Sequence, residues 1–139
     1  MRYLLDTNTC IAVMRNHPAV VGWMRQLTPD DCSVSTITSY ELYTGVEKCR
    51  EPAKERLKVE LFLETVGQLP FDEPAALESG RLRAILESRG MMIGPYDVLL
   101  AGHALAAGLI LVTANTAEFS CVPGWTLENW QLPTVVVTP

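Results

Sequence analysis

Short apolar runs of strand character alternate with helical segments along this chain, and that alternation constrains its fold more than any other feature. Strands are predicted at residues 2–5, 32–35, 109–113 and 125–128, with an extended piece at 69–71. Helices are predicted at residues 8–15, 18–27, 38–49, 53–66, 73–88 and 95–107 from apolar spacing and from Gly and Pro boundaries. Strands that alternate with helices predict a mostly parallel α/β sheet covered by helices on both faces.

Length and composition favour a compact protein outside the membrane. With 139 residues, 48% of them hydrophobic, the chain is expected to form one domain over residues 1–139. Its longest apolar stretch, residues 98–112, contains His103 and falls short of the roughly 20 residues of a membrane span. Asp6 lies inside the first apolar run, which argues against a signal peptide. We therefore expect a cytoplasmic protein.

The cysteines and histidines do not indicate a zinc site. The four cysteines, Cys10, Cys32, Cys49 and Cys121, are widely spaced without a C-x-x-C pair, and neither histidine lies at zinc-site spacing from them. In a reducing compartment, free and mostly buried thiols are expected. His103 is expected to be a packing or surface residue rather than a proton carrier.

Four acids are placed where the predicted sheet would bring them together. Asp6 ends the first strand, Glu41 lies early in the helix after the second, Asp97 opens a later helix, and Glu118 follows the last strongly apolar run. In open parallel sheets the ligand site lies beyond the carboxyl ends of the strands. Carboxylates gathered there repel one another unless a hard cation joins them. The sequence thus predicts an acidic, metal-binding site.

Each acid also has an ordinary structural explanation. Asp6 could cap the following helix, and Thr38-x-x-Glu41 matches a capping box. Asp97 would lie in a first helical turn, where the dipole favours an anion, and Glu118 could be a surface loop residue. Capping does not explain why the four should meet at one edge, and a charge at the end of a buried strand needs a partner or a metal.

Neutral oxygen ligands are predicted at the same edge of the sheet: Thr7, Asn8, Thr113 and Asn115. An oxygen-only set suits Mg²⁺ or Mn²⁺ rather than zinc. Metals held in this way activate water and stabilise both oxygens of an in-line phosphoryl displacement. Asp6 and Asp97 are predicted to hold the metal, Glu41 to position or deprotonate the attacking water, and Glu118 to complete the shell or a second site.

A cluster of basic residues has two interpretations. It comprises Lys48, Arg50, Lys54, Arg56 and Lys58, interleaved with glutamates in a chain of net charge −5. These residues could form a solvated helix face with i,i+4 pairs. They could instead form a cationic rim that guides a polyanion past the acidic site, which makes them candidate contacts for a nucleic acid.

Five segments together carry a family resemblance that spans nearly the whole chain. They are Tyr3-Leu4-Leu5-Asp6-Thr7-Asn8, Ser39-Tyr40-Glu41-Leu42-Tyr43-Thr44-Gly45, Ile93-Gly94-Pro95-Tyr96-Asp97 with Leu100-Ala101-Gly102-His103-Ala104, Leu111-Val112-Thr113-Ala114-Asn115-Thr116-Ala117-Glu118-Phe119, and Val122-Pro123-Gly124-Trp125 through Glu128-Asn129-Trp130. In order and spacing they resemble PIN-domain proteins, specifically the VapC toxins of toxin–antitoxin systems.

The resemblance implies a three-layer α/β/α PIN fold and a Mg²⁺- or Mn²⁺-dependent endoribonuclease. It further implies a homodimer inhibited by a cognate VapB-type antitoxin, and tRNA as a candidate substrate because some members cut tRNA. Asp6, Glu41 and Asp97 match the three most regular acids of the family. Many relatives have an acid where this chain has Asn115, so Glu118 is assigned as the fourth acid and Asn115 as a neutral or outer-shell ligand.

Two other functions stay open at this stage. Asp6-Thr7-Asn8-Thr9 faintly resembles the D-x-D-x-T start of haloacid-dehalogenase-type phosphatases, but the second Asp is Asn8. A non-catalytic PIN-like binding module would keep the fold and its partner without cleaving RNA. Metal-dependent RNA cleavage that is lost on Asp6→Asn would separate the nuclease from both.

The helices predicted between residues 8 and 27 carry more apolar surface than one stripe on each requires. Their apolar residues are Ile11, Val13, Met14, Val20, Val21, Trp23, Met24 and Leu27. About half are expected in the core of the domain. The others could form a groove for an amphipathic antitoxin helix, with an Arg of that partner reaching the acids.

Overall fold

The computed structural model is built around a five-stranded sheet in which all the described strand pairs are parallel. It describes residues 2–91, 93–119 and 126–131, except the side chains of Pro29 and Glu118. The strands are β1 (Tyr3–Leu5), β2 (Cys32–Ser35), β3 (Gly67–Leu69), β4 (Ile110–Val112) and β5 (Leu127–Glu128). Their order in the sheet is β3-β2-β1-β4-β5, so the first strand of the chain is central.

Seven described helices connect these strands. They are α1 (Thr7–Met14), α2 (Pro18–Arg25), α3 (Thr36–Lys48), α4 (Pro52–Thr65), α5 (Glu73–Ser88), α6 (Pro95–Ala107) and the short α7 (Thr116–Phe119), with a 3-10 turn at Pro29–Asp31. None of the described helices is both long and apolar enough to cross a membrane.

The largest differences from the sequence prediction lie near β3 and at the start of α3. The extended piece predicted at 69–71 is a strand at Gly67–Leu69, because Ser33, Val34 and Ser35 of β2 fix its register. Helix α3 begins at Thr36 rather than near residue 38, because the side chain of Ser35 caps it by accepting a hydrogen bond from Ile37 N. Helix α7 was not predicted.

The side chains of β1 divide the core into two layers, because successive residues of a strand point to opposite faces. Tyr3 and Leu5 pack in the cluster formed with α1, α2, α3 and α4. Leu4 packs in the cluster formed with α5, α6 and α7. Helices therefore cover both faces of the sheet, and the predicted three-layer α/β/α architecture is confirmed.

Helices α5 and α6 pack at close range against each other. A β-carbon at Gly102 would lie 2.6 Å from the Cα of Ser79, well inside van der Waals contact. Any larger side chain at this crossing would force the two helices apart. Gly108 then ends α6 in the left-handed region, with φ 68°. A glycine adopts this conformation without strain because it has no β-carbon, and the chain then turns into β4.

Candidate active site at the strand ends

The candidate site lies where the direction of the sheet order reverses. From β1 the chain runs to β2 and β3 on one side, and it returns to β4 on the other side of β1. Asp6, directly after β1, donates its backbone N–H to the carbonyl of Val112, the last residue of β4, over 3.0 Å. In open α/β sheets this reversal creates a crevice beyond the carboxyl ends of the strands. Asp6 lies at its base.

Asp6 is a buried carboxylate that also begins a helix. Its side chain is only 3% exposed, and its Oδ1 accepts a hydrogen bond of 2.8 Å from the backbone N–H of Thr9. Asp6 is therefore the N-cap of α1, and the helix-capping contact considered for it in the sequence analysis is present. Thr9 in turn donates its hydroxyl to the carbonyl of Val112 over 3.3 Å, which ties the start of α1 to β4.

Glu41 does not make the capping box that the sequence suggested. Its Oε1 accepts a hydrogen bond of 2.7 Å from the hydroxyl of Thr7, at the start of α1. The Thr7 hydroxyl also lies 3.2 Å from that of Thr38, which is buried. Because Thr7 has a single hydroxyl proton and gives it to Glu41, Thr38 must be the donor to Thr7. The chain of donors runs from Thr38 through Thr7 to the carboxylate.

Asp97 lies in the first turn of α6, as predicted, with Pro95 at the first helical position. Its Oδ2 lies 3.5 Å from Nδ2 of Asn115, a long distance for a hydrogen bond. The same oxygen would be 3.2 Å from a β-carbon at Gly94, so this glycine leaves room for the carboxylate. Asn115 and Asp97 thus come together from the loop after β4 and the start of α6.

The four predicted neutral ligands have different settings. Thr7 contacts Glu41 and Asn115 approaches Asp97. Thr113 is buried at 1% exposure, and its hydroxyl accepts the backbone N–H of Asn115 over 3.1 Å, so it shapes the loop. Asn8 is exposed on the first turn of α1, and none of the described hydrogen bonds joins it to an acid.

The side-chain oxygens at the candidate site are of the type that binds a hard cation. Asp6, Glu41 and Asp97 offer carboxylate oxygens, and the hydroxyl of Thr7 lies beside Glu41; such oxygen ligands are those preferred by Mg²⁺. Among the described residues, no three His, Cys, Asp or Glu side chains form a group that could hold an ion. The side chain of Glu118, in α7, lies outside the description. One or two carboxylates completed by waters are the usual protein ligands of Mg²⁺.

Part of the basic cluster is paired with acids. Arg56 forms an ion pair of 2.8 Å with Glu47, and Lys58 lies 4.0 Å from Glu55. All four side chains are substantially exposed, so these pairs add little stability. Neither pair has the i,i+4 spacing predicted for a solvated helix face, since Glu47 lies on α3 and Glu55 lies three residues before Lys58. Lys48, Arg50 and Lys54 make none of the ion pairs found in the described part of the chain.

A groove of about 360 Å³ leads away from Glu41 between α1, α3 and α4. Its lining is mixed, with apolar Ile11, Met14, Leu42 and Val59 beside charged Arg15, Glu41, Glu55 and Lys58. We refer to it below as the Glu41 groove. Of the apolar residues predicted to exceed the needs of the core, Ile11 and Met14 line this groove, whereas Val20 is fully buried.

The remaining chemically distinctive side chains have structural settings. His103 is buried and edge-on to Phe71, with ring centroids 5.5 Å apart, and burial lowers its pKa. Packing, as predicted, therefore accounts for it. Cys10, Cys32 and Cys49 are free thiols, also as predicted. Burial raises the pKa of Cys10 well above its usual value and that of Cys32 to about 11. Cys121 lies outside the described residues.

The sequence analysis missed three residues beside the acids. Thr38 was given only a capping role, although it is the donor behind Thr7. Tyr40 and Tyr96 immediately precede Glu41 and Asp97, and their hydroxyls meet at 3.1 Å. The one signal available for the tyrosines was their position directly before two predicted site acids.

The fold and the acids at the strand ends define an open α/β domain of a recognised kind, since residues 3–123 match the PIN domain family. The chain is 38% identical over 130 residues to the tRNA(fMet)-specific endonuclease VapC of Salmonella typhimurium, covering 94% of this chain and 98% of that protein. Over 132 residues it is 35% identical to ribonuclease VapC2 of Rickettsia felis, with the same coverage. The chain belongs to the PIN-domain family and, within it, to the VapC ribonucleases.

Solved structures agree with this assignment. The DNA-bound VapBC complex of Salmonella typhimurium contains a chain that superposes with a TM-score of 0.88 at 38% identity, covering 94% of this chain and 98% of that one. VapBC2 of Rickettsia felis, bound to a fragment of its promoter DNA, superposes with a TM-score of 0.85 at 34% identity, covering 94% and 99%.

Proposed function

We propose that this VapC-family protein is the toxin of a VapBC-type toxin–antitoxin system and cleaves RNA endonucleolytically through a metal-activated water. The observation that carries the proposal is the contact of Glu41 with Thr7 beside the buried Asp6 at the strand ends. A glutamate that is held by a hydroxyl donor at the crevice of the sheet is positioned to contact a ligand bound in that crevice. The names of the VapC relatives support RNA as that ligand.

In this proposal, Asp6 and Asp97 would hold a Mg²⁺ or Mn²⁺ ion, and Glu118 would complete its shell or a second, weaker site. When bound, the ion supplies Lewis acidity toward the phosphate and the attacking water. Glu41 accepts a proton from that water as the general base, because the hydrogen bond from Thr7 fixes one of its oxygens and orients the other. Asn115, whose amide lies 3.5 Å from Asp97, serves as a neutral or outer-shell ligand.

Calorimetry with Mn²⁺ tests the metal site apart from cleavage. Wild-type protein should bind the ion with release of protons as carboxyl groups ionise, and Asp97→Asn should bind it more weakly. Glu78→Gln, at a partly exposed acid on α5 that pairs with Arg81, is a control away from the site and should bind like the wild type. Equal heats from wild type and Asp97→Asn would remove Asp97 from the site.

RNA cleavage is tested with purified protein, total cellular RNA and Mg²⁺, with new RNA ends mapped. The specificity named for the Salmonella relative makes tRNA(fMet) the first individual substrate to assay. Asp6→Asn, Glu41→Gln and Asp97→Asn should each lose about a hundredfold or more in rate. Wild-type rates from all three would refute the mechanism. Hydrolysis of a small phosphate ester without RNA cleavage would instead indicate a phosphatase, and neither activity would indicate a binding module.

We further propose that the Glu41 groove receives an apolar helix of a VapB-type antitoxin. The groove combines apolar residues of α1 with a carboxylate at one end, which suits a helix carrying an Arg toward the acids. The VapBC complexes among the structural neighbours support such a partner. Co-expression with the neighbouring small protein should give a complex that Met14→Asp weakens and Leu77→Asp, on exposed α5 surface, does not.

Two finer proposals concern RNA binding and assembly. If Lys48, Arg50 and Lys54 contact phosphates, RNA affinity should fall as the salt concentration rises. A plot of log affinity against log salt concentration should have a slope of about −0.7 for each contact with a single strand. Lys54→Gln should then flatten that slope, whereas Arg56→Gln, whose guanidinium already pairs with Glu47, should change it less. Equal slopes would mean that the basic cluster is a solvated helix face.

A homodimer is also proposed, and sedimentation of the purified chain tests it.

A further inference from the structure

Two exposed tyrosines stand beside the acids at the opening of the site. Tyr40, on α3, is 54% exposed and directly precedes Glu41; Tyr96, on α6, is 39% exposed and directly precedes Asp97. Their ring centroids are 5.7 Å apart at an angle of 54°, and their hydroxyls lie 3.1 Å apart. These two residues, called here the tyrosine pair, therefore connect the two helices that carry Glu41 and Asp97.

The tyrosine pair lies close to the carboxylate chemistry. The pKa of the Tyr96 hydroxyl is raised, first by its hydrogen bond with Tyr40 and also by the negative charge of Glu41. Both aromatic residues are exposed to solvent, so a ligand that binds beside Glu41 and Asp97 can contact their rings.

Stability does not explain this exposure. A hydrogen bond between two exposed hydroxyls competes with water, and aromatic rings contribute most to stability when they are buried. Among the other exposed apolar side chains, Leu77 lies singly on α5, and Leu57 and Leu61 lie one turn apart on α4, away from the acids of the site. The tyrosine pair is distinguished by contact between its members and by its place next to two acids.

Electrostatics adds a second reason to look for a ligand of these rings. Carboxylates repel the phosphates of a nucleic acid, and α6 brings no compensating cation because the chain has no Lys or Arg after Arg89. Without a metal ion, RNA that binds beside these carboxylates needs a favourable local contact other than attraction between charges. Stacking of an unpaired base on an aromatic side chain is worth about 1–3 kcal/mol per base and tolerates any sequence.

We propose that the tyrosine pair is a stacking platform for one or two unpaired nucleobases next to the scissile phosphate. The proposal rests on the ribonuclease function proposed above, and it defines the substrate as a single-stranded RNA segment whose bases can turn outward. The bases would stack on the exposed rings while the phosphate between them faces Glu41 and Asp97.

The test is a binding experiment with two probes of equal length and charge. One is fluorescein-labelled oligoadenylate and the other is a ribose-phosphate oligomer without bases. Anisotropy is measured in EDTA, and a gel checks that the RNA stays intact. Wild type should bind oligoadenylate more tightly. Tyr40→Leu and Tyr96→Leu should each weaken that binding by about five- to a hundredfold and leave the abasic oligomer unaffected.

Ring-retaining variants and a distant control sharpen the result. Tyr40→Phe and Tyr96→Phe should bind within about twofold of wild type, because stacking needs the ring and not the hydroxyl. Leu77→Ala should behave as wild type. If the Phe variants lose as much as the Leu variants, the hydroxyl contact is a structural clamp and the proposal is wrong. Unchanged RNA affinity with lost self-association in the Leu variants would assign the pair to a protein interface.

The two proposals fail in different ways. RNA cleavage that depends on Asp6 but not on the tyrosine rings would overturn the platform and leave the nuclease standing. Ring-dependent binding of oligoadenylate by a protein that cleaves no RNA would overturn the nuclease and leave the platform standing. Absence of RNA binding by the wild type in EDTA would overturn the platform, whereas the nuclease is overturned only by absence of RNA cleavage in Mg²⁺.

Discussion

Helices α1 and α3 both begin at the carboxyl ends of neighbouring parallel strands, but they use their acids differently. At α1 the capping residue is itself a site acid, because Asp6 accepts the backbone N–H of Thr9. At α3 the cap is Ser35, which accepts the N–H of Ile37 over 3.1 Å. Glu41 lies further along α3 and contacts Thr7 instead. At α1, a single side chain, that of Asp6, caps the helix and is a candidate ligand. At α3, Ser35 caps the helix and a different residue, Glu41, is the candidate catalytic group.

This difference determines what a substitution can reveal. Changing Asp6 alters a helix cap, a buried charge and a candidate ligand at once, so lost activity alone does not identify its role. Changing Glu41 leaves the α3 cap intact, so its effect on cleavage reports on the site more directly. Stability and activity should therefore be coupled at the start of α1 and independent at the start of α3.

The largest effect is expected from Glu41→Gln. The amide keeps an oxygen that accepts the Thr7 hydroxyl but cannot take a proton from water, so the rate of RNA cleavage should fall about a hundredfold or more. The free energy of unfolding should change by less than about 0.5 kcal/mol, because the substitution changes neither the Ser35 cap of α3 nor the core. Urea titration and single-turnover cleavage measure the two quantities. A wild-type rate would remove Glu41 from proton transfer, and a large loss of stability would refute the separation at α3.

A pair of variants at Asp6 tests the coupling. Asp6→Ala removes the α1 cap and should lower the free energy of unfolding by about 0.5–2 kcal/mol. Asp6→Asn keeps a capping oxygen and removes a buried charge, so stability should be retained or raised. Both variants should lose cleavage. If Asn destabilises as much as Ala, the charge rather than the cap holds this helix start together.

Ser35→Ala supplies the matched control at α3. It removes the cap without touching an acid, so the free energy of unfolding should fall by about 0.5–2 kcal/mol, as at Asp6→Ala. The cleavage rate of the folded fraction should stay at the wild-type level, in contrast to Asp6→Ala. A comparable loss of cleavage from Ser35→Ala would mean that the α3 start also couples folding to activity.

Local signals were sufficient for the elements that local chemistry determines. Helices α5 and α6 have the predicted bounds, because Pro near each start and Gly after each end act within a few residues. The buried first strand ending in Asp6 was also predictable, since its apolar run needs a central place in a sheet covered on both faces.

The contacts of the site were less accessible because they join distant parts of the chain. Thr38-x-x-Glu41 is a valid local capping pattern, yet both side chains turn to Thr7, which is 31 and 34 residues away from them. Tyr40 and Tyr96 are separated by 56 residues. Such pairs leave no periodic or local signal, and only the packing of α1, α3 and α6 on the sheet decides them.

The smallest predicted effect concerns Thr38, the buried donor that links the two helix starts. Thr38→Val keeps the shape of the side chain but leaves Thr7 without the hydrogen bond it accepts, a loss of about 0.5–1.5 kcal/mol. Since Thr7 orients Glu41, kcat should fall about three- to tenfold with little change in KM. Thr38→Ser, which retains the donor, should recover most of the rate. In a Glu41→Gln background, Thr38→Val should have a smaller effect on kcat, because residues that act through one another are not additive. Full additivity would mean that Thr38 acts through packing alone, and the connection between the starts of α1 and α3 would then be structural.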